Sequence, residues 1–102
     1  MVTLLEPTRR EPHTVYVEGP LNRPHTGEFD RRVRALVRRG ERRIVLDLSR
    51  VPSIDAGGIG ALMRAYRRMC SVDGALRIVN ANPWVRKVLQ LVGVFSLLSD
   101  EE

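Results

Sequence analysis

Three short runs with strand character, TVYVEG, RRIVLDL and ALRIVN, alternate along the chain with three stretches whose apolar residues recur at helical spacing. This alternation restricts the accessible folds more than any other feature. In TVYVEG, Val15 and Val17 share one face and Thr14, Tyr16 and Glu18 the other, the pattern of a half-buried strand. Over residues 24–39, Phe29, Val33, Leu36 and Val37 fall at i, i+4, i+7 and i+8, with arginine filling much of the other face and Gly40 at the helix end. RRIVLDL is nearly continuous in Ile44, Val45, Leu46 and Leu48, as a central strand covered on both faces would be. A second helix is expected over residues 57–71 on Ile59, Leu62, Met63, Tyr66 and Met69, closed by Gly74. A third starts at Pro83 under an Asn82 cap, carries Val85, Val88, Leu89 and Val92, and stops at Gly93. Strand and helix in short-linked alternation predict an α/β fold, one layer of mostly parallel sheet with helices packed on it. Residues 94–98 are expected to tuck Phe95 under the last helix, and SDEE to trail into solvent.

A chain of 102 residues can bury one core without disulfide or metal staples, so residues 1–102 are read as a single domain with its core at about 14–98 and short flexible ends. No apolar run approaches the roughly 20 residues of a membrane span. The start, MVTLLEPTRREPH, lacks the pattern of a signal peptide, and a cytoplasmic location is expected. Cys70 is the sole cysteine, which removes an intramolecular disulfide, and it falls on the stripe of Tyr66 and Met69, where a packed thiol is expected. His13 and His25 each sit beside a proline, without metal-ligand spacing, so no metal, cofactor or catalytic group is assigned. Trp84 is read as a packing anchor.

The net charge of +5 comes from 17 basic and 12 acidic residues. Most of the arginines, including Arg31, Arg32, Arg38 and Arg39, read as solvated helix faces, with an acidic partner surface and nucleic acid as the alternatives.

The join between the second strand and second helix, VPSIDAGGIG, is unusual in starting a helix with two glycines, which are weak helix formers. Asp55 is placed to cap that helix. Glycine NH groups at a helix start can hold phosphate, but the phosphate-loop pattern ends in Lys followed by Ser or Thr, which GGIGALM lacks.

RRIVLDLSRVPSIDAGGIGALMRAYRRM followed by GALRIVNANPWVRKVLQLVGV resembles the STAS domain, the family of sulfate transporters and anti-sigma factor antagonists, over about residues 15–98. The resemblance implies a four- or five-stranded mixed sheet with helices mainly on one side, and a domain that binds proteins and does no chemistry. Stand-alone members bind an anti-sigma factor that is also a serine kinase, and are switched off by phosphorylation in an Asp-Ser-Ser-Gly pattern. Asp55 matches the aspartate, Ala56 the first serine, Gly57 the phosphoacceptor and Gly58 the glycine; Asn22 stands where the family has an aspartate flanking the site. The partner surface implied is Asn22, Asp55, Ala56, Gly57, Gly58 and Ile59, with no phosphorylation at the usual position. Other STAS proteins serve lipid transport, so an ABC-type transporter ATPase is the alternative partner.

Overall fold

The computed structural model describes residues 12–99. Strands β1 (His13–Glu18), β2 (Arg43–Arg50) and β3 (Ala75–Val79) lie side by side in that order, and both pairings are parallel. The links dictate this. A 3-10 turn (Arg23–His25) and α1 (Thr26–Arg38) join β1 to β2, and α2 (Ala56–Cys70) joins β2 to β3. Each helix returns the chain to the end where it started, so the next strand runs in the same direction. Helices α3 (Pro83–Leu91) and α4 (Phe95–Leu98) follow β3.

The register places Val15 beside Leu46 and Leu46 beside Ile78, with Ile44 beside Leu76. These side chains are buried and join Phe29, Val33 and Leu36 of α1, Ala61, Leu62, Ala65 and Met69 of α2, and Val85 and Leu89 of α3 in one core. The opposite face of the sheet, where Tyr16, Asp47 and Val79 align, is more open: Tyr16 is 53% exposed. Helix cover is thus mainly one-sided. β2 is central, as its sequence suggests, but Val45 on its second face is only half-buried, which corrects the expectation of cover on both sides.

The strand count also differs. Among the described residues there are three strands, all parallel, where the resemblance implied four or five in a mixed sheet. Every described strand is linked to the next by a helical crossover, which leaves no antiparallel hairpin in this part of the chain. The three strand patterns legible in the sequence are the three observed.

Helix ends follow local chemistry. Asn82 accepts the Val85 NH at 2.8 Å, and Gly40 takes φ 93 after α1. Asp73, not Gly74, carries the left-handed backbone after α2, with φ 59. Phe95 and Leu98 are buried as expected, but Leu97 between them is 49% exposed. Cys70 and Trp84 are not: both are exposed, Trp84 by 61%. On α2 the core takes Ala61, Leu62, Ala65 and Met69, and Cys70 lies a further 100° or so around the axis. Among the described residues no helix is long and apolar enough to cross a membrane.

Candidate functional site

The carboxyl ends of the three parallel strands share one edge of the sheet, the edge where open α/β sheets present their binding loops. There the segments after β1 and β2 continue side by side. The Leu21 NH donates to the Ser53 carbonyl at 3.0 Å and the Asp55 NH to the Leu21 carbonyl at 3.3 Å, a parallel bridge between Leu21 and Ile54. Leu21 is buried and fixes this pairing from below.

Asp55 caps α2. Its Oδ1 accepts the Gly58 NH at 2.9 Å and its Oδ2 accepts the Arg23 NH at 3.4 Å, so one carboxylate ties the helix start to the turn after β1. The Gly58 NH above all, and then the Arg23 NH, hold its acid dissociation below the ordinary 3.8.

The two glycines now have a physical cause. A Cβ on Gly58 would run into the Leu21 carbonyl oxygen and stand 2.8 Å from Ile54 Cγ1. One on Gly57 would lie 3.1 Å from Arg23 Cα. The bare backbone meets the chain's own loop, and the close approach of the two segments requires it.

Of the six residues singled out in the sequence, Asp55 and Ala56 face solvent. Gly57 and Ile59 are half-buried and Gly58 is buried. Asn22 is half-buried, and its Oδ1 is paired with His25 Nδ1 within the turn that follows it. The exposed rim around Asp55 and Ala56 is completed by residues outside the implied partner surface: Arg23, Pro24 and His25 on one side, Pro52 and Ser53 on the other. The pairing of the two loops brings them together.

Asp47 is buried, with Oδ1 accepting the Ser49 NH at 2.8 Å and Oδ2 accepting Asn80 Nδ2 at 3.0 Å. The Ser49 hydrogen bonds, with Asn80 and Arg50 assisting, hold its acid dissociation below the ordinary 3.8. It locks β2 to the turn after β3. Asn82 Nδ2 adds a second link across this edge, donating to the Val51 carbonyl at 3.0 Å. Among the described residues no His, Cys, Asp and Glu side chains cluster as a metal site would need. Hydrogen bonds thus tie the loops along this edge to one another.

A family model described as "Mlab, STAS domain" matches residues 5–99. BtrV of Bordetella bronchiseptica, provisionally named an anti-sigma factor antagonist, is 30% identical over 81 residues, 79% of this chain and 70% of that protein. An anti-sigma F factor antagonist of Paenibacillus polymyxa is 28% identical over 64 residues, 63% of this chain and 55% of that protein. Among solved structures, a Thermotoga maritima protein, also provisionally named an anti-sigma factor antagonist, superposes with a TM-score of 0.76 at 26% identity, over 84% of this chain and 76% of that one.

Proposed function

The chain belongs to the STAS domain family, and on that premise we propose that it is an anti-sigma factor antagonist, a non-enzymatic cytoplasmic protein that binds an anti-sigma factor and so frees the sigma factor. Its relatives carry that name, and the observation that supports the site most directly is the start of α2 at the strand ends, where Asp55 and Ala56 are exposed and Asp55 is hydrogen-bonded to Gly58 and Arg23. Asp55 and Ala56 are the contact residues, and Asn22, Gly57, Gly58 and Ile59 set the shape on which they stand. Residues 55–60 are Asp, Ala, Gly, Gly, Ile and Gly, without a hydroxyl, so the usual phosphate cannot be placed here to add about 1.5 to 2 negative charges beside Asp55. Contact with the anti-sigma factor is then constitutive at this position.

The test is displacement. A complex of sigma and anti-sigma factor from the chain's own source is mixed with the chain and resolved by size exclusion. Free sigma factor, with the chain eluting alongside the anti-sigma factor, is the expected result. An intact sigma complex contradicts the reading. The missing hydroxyl also favours a second reading, a small subunit of an ABC-type lipid transporter whose docking is permanent; co-elution with a transporter ATPase would select it.

A further inference from the structure

Arginines scattered along the sequence come together where α1 packs beside α2. At about 100° per residue, Arg31, Arg34 and Arg38 share an arc of about 60° on α1, on the side away from the buried Phe29, Val33 and Leu36. On α2, Arg67 stands opposite the buried Gly58, Leu62, Ala65 and Met69, and Arg64 and Arg68, one turn apart, lie on one flank. Arg64 Nη2 reaches Asp30 Oδ2 of α1 at 3.0 Å, so that flank is the one turned toward α1. The six guanidinium groups therefore occupy one face across both helices. Arg31, Arg38, Arg64 and Arg67 are exposed, and Arg34 and Arg68 are half-buried.

The acidic residues of the two helices, Glu28 and Asp30, leave this face cationic. Asp30 is taken by Arg64, and Glu28 lies with Arg32 in the groove along β1, on the flank of α1 turned away from α2. Arg31, Arg34, Arg38, Arg67 and Arg68 have no acidic partner among the described residues. Guanidinium groups gathered in this way repel one another, a cost that a carboxylate-bearing surface laid against them removes. The face also adjoins the start of α2. Ala56 and Arg67 lie on the same side of that helix, about 16 Å apart, with Arg64 between them. A folded partner seated on Asp55 and Ala56 is wide enough to reach it, since a domain of about 100 residues has a radius of gyration of about 13 Å.

We propose that this arginine face is a second contact region for the protein that docks at the start of α2, and that it meets an acidic surface on that partner. Guanidinium groups pair with carboxylates through two parallel hydrogen bonds, so the face selects a partner rich in aspartate and glutamate there and speeds its arrival. Neither helix contains asparagine or glutamine, and Phe29 and Tyr66 pack against the core, so the face offers no stacking platform for nucleic acid bases. This rests on the reading of the chain as a partner-binding protein and names the chemistry of the partner's surface.

The test compares two double variants of the full chain that lose the same charge. Arg31→Gln with Arg38→Gln strips the face, whereas Arg32→Gln with Arg39→Gln removes two arginines from the other side of α1. All four positions are exposed, so both variants should melt like the parent. Binding to the anti-sigma factor from the chain's own source is followed by stopped flow at about 50 and about 300 mM salt. At the lower salt the first variant should associate about fivefold or more slowly than the parent, and the second within about twofold of it; the difference should shrink at the higher salt. The proposal is overturned if the two variants associate alike, or if the first associates as the parent does, and a complex that still forms then leaves the docking role of the α2 start standing. Absence of any complex with the parent overturns the anti-sigma reading and this proposal together. A DNA duplex of about 20 base pairs, or phosphatidylglycerol vesicles, that at about 150 mM salt bind the parent more tightly than the anti-sigma factor does and fail to bind the first variant would assign the face to nucleic acid or lipid and overturn it too.

Discussion

Gly57 and Gly58 are neighbours in one helical turn, yet substitutions at them should have different costs. Alanine at Gly58 drives its methyl into the Leu21 carbonyl and against Ile54, and both belong to the bridge that holds the two loops together. A loss of about 3 kcal/mol or more in urea unfolding is expected, since backbone has to move. At Gly57 the new methyl meets the Arg23 backbone at 3.1 Å, so the turn has to move by a few tenths of an ångström. Helix propensity offsets part of that strain, and the loss at Gly57 should be clearly smaller than at Gly58. The sequence showed that two glycines open a helix capped by Asp55. It did not show what they face, because Leu21 and Arg23 lie more than 30 positions away along the chain and only the parallel bridge brings them near. Trp84 and Cys70 are exposed, against the sequence pattern, for a related reason: a helical stripe tells which residues share a side, and the packed neighbours decide where that side ends.

At the scale of elements, the strands and helices were readable because period-two and period-3.6 patterns alternate cleanly, each followed within a few residues by a glycine or a proline. Cover on the second face of β2 was not readable. A continuous apolar run looks the same whether helices lie on both faces or on one. Nor did the pattern show that Asp47, inside that run, joins β2 to the turn after β3 through Ser49 and Asn80. That lock predicts an acid limb. The carboxyls of Asp47 and Asp55 both ionise below 3.8 in the folded chain, so their contribution is present above that value. It is lost as the pH falls through the lower folded values. The melting temperature should hold down to about pH 5 and decline below about pH 4. Asp47→Asn keeps an acceptor for Ser49 but turns a donor toward Asn80. It should cost about 1 to 2 kcal/mol at neutral pH and make the acid decline shallower. Thermal melts of parent and variant across that range check both statements.

At the scale of the whole molecule, the start of α2 lies at the strand ends with Asp55 and Ala56 exposed, and residues 55–60 carry no hydroxyl. Incubation with ATP and a kinase-like anti-sigma factor should therefore leave binding unchanged, with no phosphate on residues 55–60 by peptide mass mapping. Ser53 is exposed beside Asp55; phosphate found there, with binding lost, would mean that the switch has moved to it. The most direct measurement of the central claim is calorimetric affinity for the anti-sigma factor of the parent chain and of Ala56→Glu. Ala56 is exposed in the first turn of α2, where a negative charge suits the helix dipole, so the variant should melt like the parent. Its affinity should fall by about tenfold or more, because the added carboxylate must be desolvated against the partner beside Asp55. A folded Ala56→Glu protein that binds as tightly as the parent would contradict the assignment of this helix start as the docking surface.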